Sequence, residues 1–340
     1  MTDQTRDSEQ LAPVPRYMTE GTGEILCTLC AHLCHIRPGQ AGLCQVRTND
    51  NGRPCLPYYG KVSALHVDPV EKKPLYHFHP GAELLSIGFL GCNFRCPFCQ
   101  NYSISQSTTA RTRDTLPSEI PALARDAGVL GVAYTYNEPT IHFEYLMEAA
   151  ERVRDAGLAN VVVTNGHLTR KPARELLARM DAANVDLKSF NPEFYSRELA
   201  GDLEAVKDFL RIAAEETSLE VTTLLIPGKN DSDDEVEAIA SFVASLDPDI
   251  PFHLSGYYPT YQYVVEATSP STIEHARDIA RGHLNHVYHG NVSGDSSTRC
   301  SSCGSTLVQR SGYRTDPIGL RGDTCAKCGA PSPIRWFRNA

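Results

Sequence analysis

Three cysteines stand close together in the run GFLGCNFRCPFCQNYSISQ that starts at Gly88. They are Cys92, Cys96 and Cys99, with three residues and then two between them. Neighbouring thiolates at this spacing suit a [4Fe-4S] cubane, which takes one protein thiolate per iron when fully ligated. A set of three leaves the fourth iron open to a small ligand carrying an amino and a carboxylate group. S-adenosylmethionine (SAM) is such a ligand. Reductive homolysis of its S–C5′ bond yields a 5′-deoxyadenosyl radical able to abstract an unactivated hydrogen, chemistry that belongs to the cofactor while the protein positions and shields it. A zinc ion would ask for a fourth protein ligand, and none stands nearby in the sequence.

The other cysteines also come in groups. Twelve cysteines in a chain with no apparent secretion signal point to metal sites rather than disulfides. Cys300-x2-Cys303 and Cys325-x2-Cys328 form two knuckles, each followed by a glycine, Gly304 and Gly329. They predict a tetrahedral four-thiolate site, zinc first and a rubredoxin-type iron second. So small a tail should need its metal to fold. Cys27, Cys30, Cys34 and Cys44 form a candidate second site with irregular spacing, for which zinc is expected ahead of an auxiliary Fe-S cluster or no metal. No CxxCH run is present, so covalent haem is not indicated. Cys55 stands alone as an incidental thiol. His77 and His79 in YHFHP read as a structural turn rather than a metal pair.

These groups must be carried by ordered elements. The chain has 340 residues and a net charge of -9, which argues against a nucleic-acid partner. No apolar run reaches the roughly 18 residues that a membrane-spanning helix needs. The polar N-terminus lacks the apolar core of a signal peptide, which predicts a cytoplasmic protein. Strands are predicted near 84–90, 131–136, 160–164, 184–187, 219–225, 251–256 and 285–288. Helical stretches fall between them, near 117–127, 141–156, 171–182, 203–215, 233–246 and 271–281. Ser118 and Ser232 are expected caps, and Gly128 and Gly157 expected stops. Alternating β and α segments predict an α/β fold, a full or partial (β/α)6-type barrel. No GxGxxG follows an early strand, so a doubly wound sheet is the lesser choice. The division expected is 1–24 disordered, 25–80 a Cys-rich N-terminal extension, 81–294 the barrel, and 295–340 a zinc-ribbon-like tail. On this division the Cys92 loop follows the first barrel strand.

Several further runs identify a resemblance. They are CTLCAHLCHIRPGQAGLCQVR from Cys27, VDPVEKKPLYHFHPG from Val67, YTYNEPT from Tyr134, VTNGHLT from Val163, VDLKSF from Val185, LLIPGKND from Leu224, HLSGYYPTY from His253 and VYHGNVSGD from Val287. With CNFRCPFC, they make the chain resemble the radical SAM superfamily, more narrowly its pyruvate formate-lyase activating enzyme-like branch and the AmmeMemoRadiSam group, over about residues 25–336. The resemblance implies SAM cleavage on a [4Fe-4S] cluster held by Cys92, Cys96 and Cys99.

It further implies that Glu138, in a Tyr136–Pro139 turn that replaces the usual Gly-Gly-Glu, meets the SAM amino group. A helix-start acid is the plainer role for the same residue. Phe98, Asn137 and Asn165 are implied as cofactor contacts, together with His253, for which a satisfied core position is an equal alternative. Asp186 and Lys188 are candidate catalytic residues or a simple ion pair. Asn230, Asp231 and Asn291 are weaker candidates near strand ends. Implied partners are an electron donor such as flavodoxin or ferredoxin and Memo-type or AMMECR-type proteins. The substrate is not named. Two alternatives remain at this point, a glycyl radical enzyme activating enzyme and a non-catalytic zinc or Fe-S binding module.

Overall fold

The computed structural model describes residues 12–19, 23–292 and 294–338. Its main sheet has eight strands. In chain order they are β1 (Ala64–Pro69), β2 (Glu83–Gly88), β3 (Gly131–Tyr134), β4 (Ala159–Thr164), β5 (Ala182–Asp186), β6 (Ser218–Leu225), β7 (Phe252–Gly256) and β8 (Val287–Gly290). Strands β2 to β8 are parallel and lie side by side in the order of the chain, while β1 is antiparallel at the β2 edge. Such sequential order, with every crossover of one hand, coils a sheet instead of winding it both ways. The two edge strands do not pair with each other. The barrel is therefore partial.

Helices α1 (Ile120–Asp126), α2 (Phe143–Asp155), α3 (Arg170–Leu177), α4 (Pro192–Glu198), α5 (Leu203–Glu216), α6 (Asp233–Leu246) and α7 (Pro270–Ala280) connect the parallel strands. Ser232 caps α6 by accepting from the Glu235 N–H. Gly128 and Gly157 follow α1 and α2 with φ of 67° and 72°, a conformation glycine adopts without strain. Ser118 is not a cap: it lies inside the 3-10 turn Pro117–Glu119 that leads into α1. The helix expected over 171–182 stops at Leu177 because Ala182 belongs to β5, paired with Val161 and Ser218. Two elements had no strong periodic signal. One is β1, in the stretch expected to be irregular. The other is the short α4, capped by Asn191, whose Oδ1 accepts from Glu193 N at 2.8 Å.

The start of the barrel is closed from below. Val70, Leu75 and Phe78 pack against Leu84, Ala133, Val161 and Ala182 near the beginnings of β2 to β5. The C-terminal tail forms a three-stranded sheet, Thr298–Arg299, Thr306–Ser311 and Arg314–Asp316, and a two-stranded one, Leu320–Arg321 with Thr324–Cys325. It docks on this closed end through Arg310, whose guanidinium stacks 4.4 Å from the Tyr76 ring centroid and donates to Thr298 Oγ1 at 2.7 Å. Of the N-terminal stretch expected to be disordered, residues 1–11 and 20–22 lie outside the described residues. Residues 16–18 are packed. Arg16 N donates to Glu144 Oε1 at 2.6 Å, and Tyr17 OH to Glu175 Oε1 at 2.7 Å.

Candidate functional site

The Cys92–Cys99 loop leaves the C-terminal end of β2, and several elements hold it. At Gly91 (φ +78°) a Cβ would lie 2.4 Å from the Cys44 carbonyl and 2.8 Å from Val46 Cγ1, so only glycine fits. Arg95 donates through Nη1 to the carbonyls of Cys92 (2.9 Å) and Phe94 (3.0 Å), and through Nη2 to that of Leu43. Phe94 N donates to Cys92 Sγ at 3.3 Å, and Cys99 Sγ lies 3.0 Å from Ser105 Oγ.

The ends of the next strands converge on this loop. After β3, Asn137 accepts from Phe89 N at 3.0 Å and donates to the Gly91 carbonyl at 2.7 Å. It thereby fixes the residue before Cys92. Glu138 is 1% exposed and takes four hydrogen bonds. Its Oε1 accepts from Thr140 N (3.0 Å), Thr140 Oγ1 (2.6 Å) and Thr164 Oγ1 (2.7 Å), and its Oε2 from Asn165 N (2.7 Å). Glu138 is thus the cap of the turn Pro139–His142 and a clamp between β3 and β4, the plainer of its two expected roles. One acceptor site on Oε2 remains. After β4, Asn165 donates from Nδ2 to Asn93 Oδ1 at 2.8 Å, with Cys92 Sγ 3.9 Å away. After β5, Lys188 Nζ lies 2.8 Å from Asp186 Oδ2.

The electrostatics tie these groups to the cysteines. Burial pushes the Cys96 thiol up to about 12, with Lys188 opposing and Cys99 and Asp186 adding to the rise. Burial holds Cys92 far above its ordinary value too, and the Glu138 and Cys96 charges raise it further. Protonated thiols in this setting need a metal-bound state to become thiolates. Cys92 lies in the field of both other sulfurs, yet the three do not gather within 4.8 Å as ligands of one ion would; among the described residues only the C-terminal four do so. A cubane asks for that wider setting, because each thiolate binds its own iron. Asn93 Nδ2 is a buried donor without a partner in this same loop. The residues therefore fit a cluster with one open iron, and Asn93 has a donor free for it or for its ligand.

Not every expected residue joins them. His253 sits elsewhere, 2% exposed, with Nε2 2.7 Å from Glu220 Oε2 and its ring against Tyr76 and Tyr288. Those neighbours face the tail through Arg310, so His253 is a satisfied core histidine and not a cofactor contact. Phe98 is buried between Phe194 and Tyr263, at centroid distances of 6.3 and 5.6 Å. Asn230 braces the end of β6, donating to the carbonyls of Lys188 (2.7 Å) and Leu224 (2.8 Å). Asp231 accepts from Gly228 N at 2.8 Å in the same exposed turn. Asn291 (φ 60°) follows β8. His77 and His79 are structural: His77 Nε2 lies 2.7 Å from Tyr288 OH, and His79 N donates to the Arg335 carbonyl at 2.9 Å. Sequence reasoning missed Asn93, Arg95 and Ser105, which touch the loop. All three lie inside or just after the cysteine motif, and that placement was the available signal.

The C-terminal cysteines are compact. Cys300 and Cys328 sulfurs are 3.7 Å apart, and those of Cys303 and Cys325 are 3.8 Å apart. A tetrahedron of thiolates around zinc at about 2.3 Å has edges of about 3.8 Å. These four could hold such an ion.

Comparison with known proteins agrees with the geometry. The Radical SAM superfamily profile matches residues 86–243, the stretch that contains the Cys92 loop and β3 to β6. An uncharacterized protein of Methanocaldococcus jannaschii is 37% identical over 316 residues, covering 90% of this chain and 94% of its own. The 4-hydroxyphenylacetate decarboxylase activating enzyme of Clostridium scatologenes is 25% identical over 156 residues, 43% of this chain and 48% of that one. Among solved structures, Streptococcus suis SuiB bound to S-adenosylmethionine superposes with a TM-score of 0.50 at 15% identity, over 61% of this chain and 52% of that one, a likeness of fold alone. A coiled parallel sheet with a three-cysteine loop at the end of its first parallel strand, inside the matched stretch, places the chain in the radical SAM superfamily.

Proposed function

We propose that Cys92, Cys96 and Cys99 hold a [4Fe-4S] cluster and that the chain is a radical SAM enzyme acting on a substrate yet to be identified. The observation that carries this is one pinned loop whose three cysteines, among the described residues, do not converge within 4.8 Å as the ligands of a single ion would. When bound, the cluster and SAM supply a 5′-deoxyadenosyl radical that abstracts hydrogen. The chain's own residues do the positioning. Asn137 fixes Gly91, Asn165 and Asn93 present amide donors beside Cys92, and Glu138 locks the ends of β3 and β4 while keeping one acceptor site for an ammonium. Phe98 offers an aromatic face at the loop. Lys188, paired with Asp186, places a cation near Cys96 and lines the way to substrate. The chain works in the cytoplasm, takes electrons from a flavodoxin- or ferredoxin-type donor, and carries zinc on Cys300, Cys303, Cys325 and Cys328. The run of motifs further supports membership of the AmmeMemoRadiSam group, with Memo-type or AMMECR-type proteins as partners.

Anaerobic protein given SAM and dithionite should release 5′-deoxyadenosine. Cys96→Ala should abolish release, and Cys303→Ala should not where the barrel stays folded. Intact SAM after reduction of a cluster-loaded chain would leave the non-catalytic metal module as the better account. The activating-enzyme relative supports a second reading, hydrogen abstraction from a glycine of a partner enzyme. A glycyl radical signal on a co-expressed partner would select it.

A further inference from the structure

The chain has three cysteine groups, and they fall into two spacing classes. The C-terminal four converge so that all their sulfurs lie within 4.8 Å of one another. The three of the Cys92 loop do not, although Cys92 lies in the field of the other two. The N-terminal four, Cys27, Cys30, Cys34 and Cys44, behave like the Cys92 loop. Charges at Cys44, Cys27 and Cys34 all act on Cys30, and Cys27 acts on both Cys34 and Cys44. Yet no three of these sulfurs gather within 4.8 Å, all four residues being described. They do not converge as the thiolates of one tetrahedral ion would, about 3.8 Å apart.

The local fold builds this centre from separate turns. Cys27 N donates to the Cys34 carbonyl at 2.9 Å and closes a hairpin, with Ile25 paired to Ile36. Cys30 bridges to Leu168 beyond β4. Gly42 N donates to the Arg47 carbonyl at 2.9 Å and turns the chain at Cys44. Cys27, Cys30 and Cys44 are buried at 6%, 8% and 7% exposure, so water does not solvate their charge. Backbone N–H groups replace it: His32 faces Cys30, Leu43 faces Cys34, and Val46 and Arg47 face Cys44. The Arg47 guanidinium adds a buried positive charge beside Cys27 and Cys44. Three buried sulfurs and the half-buried Cys34, three of the four with backbone donors of their own, are arranged for metal-bound thiolates.

This centre abuts the first. The Cys44 carbonyl packs on Gly91, Arg95 donates to Leu43, and His32 Nε2 donates to the Asn93 carbonyl at 2.6 Å.

We propose that Cys27, Cys30, Cys34 and Cys44 hold a second cubane iron–sulfur cluster, fully ligated by protein and packed directly behind the SAM-cleaving one. The inference rests on the reading of the Cys92 loop as a cluster site, because it is that loop's spacing class which the N-terminal set shares. It differs from the zinc expected from the sequence.

Metal counting on the full chain tests it, with iron, acid-labile sulfide and zinc measured per chain after anaerobic purification. The wild type should carry about eight irons and eight sulfides. The triple variant Cys92→Ala/Cys96→Ala/Cys99→Ala should retain about four of each. Its reduced paramagnetic signal should not change when SAM is added, because four protein thiolates leave no open iron. Cys30→Ala/Cys34→Ala should retain the other four, with a signal that does change. A triple variant without iron, carrying two zincs per chain, overturns the proposal, and this arm is decisive even if the N-terminal variant fails to fold. Failure of the functional reading looks different: the triple variant would keep all of the wild-type iron.

Discussion

Replacing Glu138 by glutamine separates a residue that holds the site together from one that only touches its ligand. Both carboxylate oxygens face donors: three at Oε1 and Asn165 N at Oε2, 2.7 Å away. A glutamine keeps the three by placing its carbonyl oxygen at Oε1. Its amide then points N–H at the Asn165 N–H. The bond lost is charge-assisted, worth about 1.5–3 kcal/mol. The three retained bonds drop from charged to neutral and weaken by roughly half a kcal/mol or more each. Removing a buried charge offsets part of this. The net expectation is a loss of about 3 kcal/mol, or a melting temperature lower by about 6 °C at roughly 2 °C per kcal/mol for a chain of this size. Thr164→Val deletes one of the four donors and should lose about 1 kcal/mol. Thermal melts of metal-loaded protein, with SAM affinity measured in parallel, decide the matter. The glutamine variant should melt low and bind SAM within about tenfold of wild type, a change equivalent to one hydrogen bond. A variant that melts with the wild type but no longer binds SAM would refute the argument, since it would make the carboxylate a ligand contact and its four bonds incidental.

Other perturbations have equally definite outcomes. Arg47 and Glu144 form a bidentate pair at 2.8 and 2.9 Å with side chains 1% and 3% exposed, so Arg47→Met should destabilise by about 3–5 kcal/mol and Arg47→Met/Glu144→Met should recover most of it in denaturant titrations. Burial depresses His142 to about 4 and His167 to about 3 from an ordinary 6.5. Their neutral forms support the fold above pH 6.5, and that support is lost as pH falls toward those values; at pH 5 each should have lost about 2 kcal/mol, and His167→Gln should flatten its share of the curve. A zinc chelator, or Cys303→Ser, should release one metal from the tail and unfold Thr298–Cys325 by hydrogen exchange, while the barrel, left with Glu71 unpaired, melts in a separate and lower transition. Protection of the tail unchanged without metal would count against a metal-dependent ribbon.

How much of this was readable beforehand depended on which residues carried the signal. The parallel strands announced themselves because they are largely buried runs set off by helices, as β6 and α6 show: Ser218–Leu225 is followed by Ser232, which caps α6. The cysteine motifs were readable because ligand spacing is local. What the sequence hid was anything decided across distance. Strand β1 pairs antiparallel with β2 across a closing turn and has little alternation of its own. His253 lies on a strand end that resembles a pocket position, but Glu220 on the neighbouring strand, 33 residues away, claims its ring nitrogen. Glu138 had the right placement for a ligand contact, and the Thr140 and Thr164 hydroxyls that occupy its Oε1 are specified two and 26 residues further along the chain.

The same long-range contacts close the end of the barrel away from the Cys92 loop. The lower end is sealed by Val70, Leu75 and Phe78, and sealed again by the tail through a chain of buried charge. Glu71 accepts from Gly81 N at 2.9 Å and Thr315 Oγ1 at 2.8 Å, and lies 3.8 Å from the Arg310 guanidinium. Both side chains are almost fully buried, at 0% and 1% exposure. A charge pair so enclosed is strongly destabilised when one partner is removed, so a tail that detached would leave Glu71 unpaired. The C-terminal cysteines thus act on the barrel through Arg310 without approaching the Cys92 loop. A metal held there stabilises the floor of the barrel. The Cys92 loop, the free amide of Asn93 and the Asp186–Lys188 pair lie at the opposite end, where β2 to β5 finish.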